Sequence, residues 1–412
     1  MQLHLPLSKL ISDITITLSG SKSETNRLLL LQACYPNIQI KNGSDSDDSK
    51  AVIEALNQKS GVIDVHHAGT AMRFLTAYFA SQNHGKSVIL TGSTRMKERP
   101  IGTLVTALNQ LGADICYLEK EGFPPLQIHG KKLQGSQVCV PANISSQFIS
   151  ALLLIAPSLP QGLCLQLEGK ITSTPYIKMT LALLESIGVQ TSFINNEIKI
   201  SPIEKILPQQ IIVESDWSSA SYWFSFVALS KVGTRLNLKN FKTDSLQGDA
   251  ILTEIYQDFG VTTTFEKDKI TLYKAKPHKK SFFSYDLVNA PDIAQTIAVT
   301  CFGLEIDCQL LGLHTLKIKE TDRLTALKNE LCKLGAQVTT SQDSLSIKCS
   351  DSIQENIAID TYNDHRMAMA FAPLMLKVPI VINNYQVVSK SYPEFWNDIQ
   401  RATSVSLPNT EF

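Results

Sequence analysis

Six cationic residues, Lys22, Arg27, Arg73, Arg99, Arg323 and Arg366, together with Lys319 and Lys390, stand at or beside the starts of segments, most of them too apolar to be surface helices. The carboxylates Asp292 and Glu320 occupy comparable places. A helix N-terminus already favours an anion through its free N–H groups and its dipole, so added cations there suit phosphate or carboxylate groups. A carboxylate set among such cations can serve as an acid or a base, depending on which neighbours stabilise its charge. The anticipated chemistry is acid–base work on a small ligand with several negative charges.

The elements that position these residues are legible as capped, apolar runs. In Ser19-Gly20-Ser21-Lys22-Ser23-Glu24-Thr25-Asn26-Arg27 a Gly/Ser turn leads into Leu28-Leu29-Leu30-Leu31-Gln32-Ala33-Cys34, apolar on every side and hence a helix enclosed by protein. Ser21 or Ser23 can cap it, and Arg27 lies four residues after Ser23 on the same face. Gly69-Thr70 opens a second such helix with Arg73 one turn in, and 92–100 reads as a loop with three cations before the helix that Pro100 opens. Ser145-Ser146-Gln147 heads a third apolar helix, and Pro175 follows a run of hydroxyls. In the second half Asp292, the stretch 317–324 and Asn363-Asp364-His365-Arg366 precede helices, and Lys390 precedes the last one. The acidic cluster of 44–48 reads as the cap of a helix over 49–57, and 11–18 as a half-buried strand.

Composition narrows the class. A chain of 412 residues, 43% hydrophobic and 18% charged, can bury a large core and predicts two or three domains. Lys+Arg and Asp+Glu are equal at 38 each, so no global field recruits nucleic acid or an acidic membrane. Eight scattered cysteines, without metal-ligand spacing, predict reduced and mostly buried thiols rather than zinc or disulfides. The beginning of the chain lacks a signal-peptide pattern and no run is long enough to span a membrane, which points to the cytoplasm.

One construction recurs: a helix ending in glycine and followed by an alternating strand, at Gly112, Gly188, Gly260 and Gly335. These glycines lie 76, 72 and 75 residues apart. An internal repeat of that length fits a compact α/β unit with two helices and several strands.

Gly20-Ser21-Lys22-Ser23 with Asn26-Arg27, Ala68-Gly69-Thr70-Ala71-Met72-Arg73, Arg95-Met96-Lys97-Glu98-Arg99-Pro100, Ser145-Ser146-Gln147, Ser173 with Pro175-Tyr176, Pro291-Asp292, Lys319-Glu320-Thr321-Asp322-Arg323 and Asn363-Asp364-His365-Arg366-Met367-Ala368 occur in that order. Together they resemble the motifs of the EPSP synthase (3-phosphoshikimate 1-carboxyvinyltransferase) family of enolpyruvyl transferases. The resemblance implies an α/β (α+β) fold of six βαβαββ repeats, three per domain, with buried helices whose N-termini face an interdomain cleft. Residues 1–20 plus 215–412 would form one discontinuous domain and 21–214 the other.

The resemblance also implies transfer of the enolpyruvyl group of phosphoenolpyruvate to the 5-hydroxyl of shikimate 3-phosphate, a step toward chorismate and the aromatic amino acids. Asp292, Glu320 and Lys22 would be catalytic. Lys22, Ser23, Arg27, Ser145, Ser146, Gln147, Ser173, Asp292 and Lys319 would hold shikimate 3-phosphate. Lys22, Gly69, Arg99, Gln147, Arg323, Arg366 and Lys390 would hold phosphoenolpyruvate, with His67, Thr70, Arg73, Tyr176 and His365 in support. No metal or organic cofactor is implied. The expected partners are the two small substrates, with neither nucleic acid nor membrane, and the expected state is a monomer.

The sequence departs from the family pattern at Ser19, His67, Phe74 and Thr315, which stand where a proline, an asparagine, a proline and an asparagine are usual. Two alternatives follow. The related enzyme acting on UDP-N-acetylglucosamine carries a cysteine in the loop occupied here by 94–99, where this chain has none, and pairs its first lysine with asparagine rather than Ser23. An anion-binding relative without chemistry would not need both Asp292 and Glu320.

Overall fold

Gly112, Gly188, Gly260 and Gly335 have φ of 98°, 93°, 80° and 110°, each just past the end of a helix. Left-handed backbone at that position turns the chain back so that the next amide reaches a carbonyl of the last helical turn. Ala113, Val189 and Ala336 donate in this way to Leu108, Leu184 and Leu331 at 2.9–3.0 Å. Glu305, with φ of 60°, makes the same turn without a glycine, and Ile306 N–H reaches the Cys301 carbonyl at 2.9 Å.

The computed structural model describes residues 1–82, 84–142, 145–169, 171, 174–350, 352–403 and 405. Among these residues there are six sheets, four of which share one topology. In each, two parallel strands are extended by an antiparallel hairpin; in three of the four the parallel pair is joined through a helix, whereas Ile14–Ile16 and Arg235–Lys239 are separated in the chain by the whole of 20–213. Gly61–Asp64 runs parallel to Ser87–Thr91, which pairs antiparallel with Leu126–His129, itself antiparallel to Asp114–Tyr117. The sheets built on Gln137–Pro141, Ile14–Ile16 and Phe282–Asp286 repeat this order. The other two are smaller and join distant parts of the chain: Ile38–Lys41 with Gln209–Ile212, and Gln2–Leu5 with Ile380–Asn383 and Ile357–Ile359. The repeat inferred from glycine spacing is this βαβαββ module.

The chain divides into two compact units, Gly20–Val213 and Met1–Ser19 with Glu214–Phe412, each with its own hydrophobic core. In the first, helices α1 (Lys22–Cys34), α2 (Gly69–Gln82) and α3 (Ser146–Ile155) pack on one another. In the second, α4 (Trp217–Leu229), α5 (Ala294–Gly303), α6 (Arg323–Lys333) and α7 (His365–Phe371) carry the charged motifs, and α4, α5 and α7 pack together. Every residue of α5 and α7 is buried, as expected for helices apolar all round. Small hydroxyls let α4 and α5 approach: Ser221 meets Thr296 at 3.0 Å, and Thr300 donates to Ser225 at 2.8 Å. These bonds keep polar atoms satisfied inside a dry interface.

Several local expectations need correction. The helix expected over 49–57 begins at Asp47, because Ser46 rather than a later residue caps it by accepting from Ser49 N–H. The 11–18 strand shortens to Ile14–Ile16, the three residues that pair with Leu236–Leu238. Within the cationic loop, Ser93 caps a one-turn helix, Thr94–Lys97. The cysteines are free thiols but not mostly buried: only Cys301 and Cys308 are. Cys116 and Cys139 fall on outward strand positions and Cys332 on the exposed face of α6, where a small apolar side chain costs little.

Candidate active site

In the Gly20–Val213 unit, Ser21 caps α1 by accepting from Glu24 N–H, which leaves Lys22 at the first helical position. Its ammonium lies 3.2 Å from Asp48 Oδ2, on the second residue of the neighbouring helix. The acidic cluster therefore divides its labour: Ser46 caps, and Asp48 orients Lys22. Read from sequence, these acids cap the helix and complement its dipole, since nothing local indicates that Lys22 arrives beside them.

Arg27, 2% exposed, is fixed within the unit. Its Nε donates to Thr180 Oγ1 at 2.8 Å, Nη1 to the Ser23 carbonyl at 2.7 Å and Nη2 to Ser150 Oγ at 2.9 Å. Phe74 and Tyr176 cover it with ring centroids 5.4 and 5.9 Å from the guanidinium carbon. Burial pulls its pKa down to about 10, against opposing contributions from Tyr176 and Glu24. The unusual Phe74 thus packs over a cation. All three Arg27 nitrogens already have protein partners, so this residue organises the helix mouth as well as being a candidate ligand.

At the start of α2, an ideal Cβ on Gly69 would lie 2.5 Å from Arg99 Nη1, so only glycine lets the guanidinium rest against this backbone. Arg99 is buried, and its Nε has no hydrogen-bond partner among the described residues. Arg95 and Lys97, by contrast, are spent on surface pairs with Glu98 and Glu119 at 3.0 and 2.6 Å. Of the three cations in that loop, only Arg99 faces inward. Arg73 donates to the carbonyls of Gly69 and Pro100 at 3.3 and 3.0 Å, tying α2 to the loop that carries Arg99. Gln147 Nε2 donates to Thr70 Oγ1 at 3.1 Å, joining the mouths of α3 and α2, and Ser145 caps α3. Ser23 and Ser146 stand at the starts of α1 and α3, and His67 is half-buried in the turn before α2. Ser173 lies outside the described residues.

The other unit is organised around Arg323, the first residue of α6. Its Nε donates to Asp364 Oδ2 at 2.7 Å, Nη1 to Asp292 Oδ1 at 2.9 Å and Nη2 to Glu320 Oε2 at 2.8 Å. Burial alone would lower the pKa of this guanidinium. Asp364, Glu320 and Asp292 together outweigh burial and hold it above the usual value. Asp292 also meets Arg366 at 3.4 Å and Lys319 at 3.6 Å. One carboxylate therefore stands among three cations, and a second, Glu320, is held one residue from Lys319.

The segment that presents Arg366 is itself restrained. Tyr362 and Asn363 have φ of 52° and 55°, a left-handed pair that non-glycine residues seldom adopt. Fully buried Glu330 of α6 accepts from Tyr362 OH at 2.6 Å and Asp360 N–H at 3.0 Å, and Lys390 Nζ donates to the Asn363 carbonyl at 2.6 Å. Asp364 then caps α7 by accepting from Arg366 N–H, with the His365 imidazole 3.7 Å away. Helix α6 thus grips this segment twice, through Arg323 and through Glu330.

Sequence reasoning did not single out Asp48, Ser150, Thr180, Ser218, Asp249 or Glu330 as parts of these clusters. Asp364 stood inside a quoted motif but without a role. Only its place before Arg366 could have marked it, whereas Asp48 and Ser218 lie at ordinary helix starts, Ser150, Thr180 and Glu330 inside helices and Asp249 in a short turn. Among the described residues, no helix is long and apolar enough to cross a membrane.

Each unit gathers cations, capped helix starts and hydrogen-bonding side chains, a combination suited to phosphorylated carboxylates, and the second adds two carboxylates able to move protons. Comparison with known proteins agrees in kind. The family model described as EPSP synthase (3-phosphoshikimate 1-carboxyvinyltransferase) matches residues 55–399. The 3-phosphoshikimate 1-carboxyvinyltransferase of Bacteroides fragilis strain YCH46 is 43% identical over 392 residues, covering 94% of this chain and 95% of that protein. The enzyme of the same name from Sodalis glossinidius is 36% identical over 429 residues, with 97% of each chain covered. A solved EPSP synthase from Acinetobacter baumannii, 20% identical, has the same fold, with a TM-score of 0.79 over 99% of this chain and 100% of that one.

Proposed function

Because the chain belongs to the EPSP synthase family, we propose that it transfers the enolpyruvyl group of phosphoenolpyruvate to the 5-hydroxyl of shikimate 3-phosphate and releases phosphate. The observation that supports this chemistry most directly is the Arg323 cluster: one guanidinium holds Asp292, Glu320 and Asp364 at once, beside Lys319 and Arg366.

In this reading Ser23, Arg27, Ser145, Ser146, Gln147, Ser173 and Lys319 hold shikimate 3-phosphate, with Lys22 and Asp292 contributing. Gly69, Arg99, Arg323, Arg366 and Lys390 hold phosphoenolpyruvate, with Lys22 and Gln147 contributing. Asp292 takes the proton of the 5-hydroxyl as its oxygen bonds to C2 of phosphoenolpyruvate. Glu320, aided by Lys22, delivers a proton to the methylene carbon, giving a tetrahedral intermediate. Loss of a methyl proton and cleavage of the carbon–phosphate oxygen bond then restore the enol ether and expel phosphate.

The salt-bridged arrangement has a purpose in that sequence. While Asp292 faces three cations, its oxygens are occupied; an anionic substrate that engages the cations frees them to accept a proton. His67, Thr70, Arg73, Tyr176 and His365 support the ligands from behind. The enzyme works as a cytoplasmic monomer without a cofactor.

The test is phosphate release by the full chain with phosphoenolpyruvate and shikimate 3-phosphate, run beside UDP-N-acetylglucosamine. Turnover with the shikimate substrate supports the assignment. Turnover with the UDP-sugar alone, or with neither acceptor, rejects it.

A further inference from the structure

Asp249 lies in the turn Gly248–Ile251, outside every motif used above, yet its carboxylate is buried beside the Arg323 cluster. It accepts a short hydrogen bond from Ser218 Oγ, on the second residue of α4. Ser218 Oγ in turn accepts from Arg366 Nη2 at 3.4 Å, and the same Nη2 is 3.4 Å from Asp292 Oδ2. A single guanidinium nitrogen therefore sits between a hydroxyl controlled by Asp249 and the carboxylate read as the general base.

We propose that Asp249, acting through Ser218, is a positioning residue for Arg366: ionised, it keeps the guanidinium against Ser218 and Asp292; protonated, it releases the guanidinium to an incoming anion. The proposal rests on the reading of Arg366 as a phosphoenolpyruvate ligand.

A serine hydroxyl has one proton. With Asp249 ionised, that proton points to the carboxylate, and the oxygen's lone pairs face Arg366, so the chain from Arg366 through Ser218 to Asp249 is aligned and charge-assisted. With Asp249 protonated, the carboxyl can donate to Ser218, the hydroxyl reorients, and the pull on Arg366 weakens. The charged and titratable groups around Asp249 are Asp216 from the start of α4, Asp292 from the turn before α5 and Arg366 from α7. Burial and then Asp292 raise the carboxyl to about 7, against the opposing effects of Arg366 and Ser218. The switch therefore works near neutrality. Because the protonated form favours the ligand, affinity for phosphoenolpyruvate falls as pH rises through that value.

The experiment measures KM for phosphoenolpyruvate and for shikimate 3-phosphate, with kcat, between about pH 6 and 8.5 for the wild type, Asp249→Asn, Ser218→Ala and Arg366→Ala. Titration of the substrate's own phosphate, near about pH 6, is common to all proteins and cancels in the comparison. The wild-type KM for phosphoenolpyruvate is expected to rise severalfold above neutrality relative to both Asp249→Asn and Ser218→Ala, whatever their absolute rates, with no matching trend for shikimate 3-phosphate. Wild-type pH dependence in Asp249→Asn or in Ser218→Ala overturns the proposal, and Ser218→Ala decides alone if Asp249→Asn fails to fold. If Arg366→Ala leaves the KM for phosphoenolpyruvate unchanged, the reading of Arg366 itself is wrong; a raised value there with unaltered pH profiles rejects only the role of Asp249.

Discussion

The Arg99 guanidinium rests on the backbone of Gly69, so close that an ideal Cβ there would lie 2.5 Å from Nη1 and 2.9 Å from the guanidinium carbon. Gly69→Ala must therefore displace the only inward-facing cation of its loop. The expected result is a rise of about tenfold or more in KM for phosphoenolpyruvate, equivalent to ~1.4 kcal/mol, with shikimate 3-phosphate affinity little changed. Steady-state kinetics with each substrate varied in turn decide it. Equal weakening of both would mean that α2 itself had shifted.

Glu320 accepts from Arg323 and is 16% exposed in its side chain, so replacing it with glutamine removes a proton donor without opening a cavity. Glu320→Gln should lower turnover by about 10²–10⁴-fold, the range for loss of a general acid, while shikimate 3-phosphate still binds. Fluorescence titration beside a turnover assay separates these effects. Parallel loss of binding would identify a structural residue.

Arg323 holds together three carboxylates, one of which, Asp364, is fully buried. Arg323→Met keeps much of the side-chain volume but takes the buried guanidinium away from Asp364 and Glu320, while Asp292 keeps Arg366 and Lys319. Breaking one side of a buried pair typically costs about 3–5 kcal/mol, and urea unfolding at neutral pH should show a loss of that order. A loss below about 1 kcal/mol would mean that the cluster relaxes into water.

The raised carboxyl of Asp249 bears on stability as well as on binding. Between the ordinary carboxylate range and about 7, the folded chain keeps a proton that the unfolded chain has lost, so this residue reduces stability as pH rises and levels off above 7. Asp249→Asn should remove that slope. Its unfolding free energy relative to the wild type should improve by up to a few kcal/mol between about pH 5 and pH 8. Urea titrations at the two values test the sign, and a constant difference would show that Asp249 does not titrate in this range.

What the sequence determined was local and periodic. Glycine after a helix can take the left-handed turn that few other residues adopt cheaply, so Gly112, Gly188, Gly260 and Gly335 marked the module length. Helices without a polar face had to be enclosed, and the hydroxyls of Ser21 and Ser145 announced where two of them begin, while the caps Asp216, Asp322 and Asp364 emerged only from the structure. Glu305 makes the same turn without glycine, so its module end left no mark. The tertiary structure decided which charges meet. Lys22 with Asp48, Arg27 with Ser150 and Thr180, Arg323 with Asp292 and Asp364, and Arg366 with Ser218 are separated by 26 to 153 positions in the chain. Such pairs follow from how βαβαββ modules pack, because a side chain's partner in a low-dielectric interior is whatever the fold brings within about 3 Å, and no residue-by-residue preference encodes that distance.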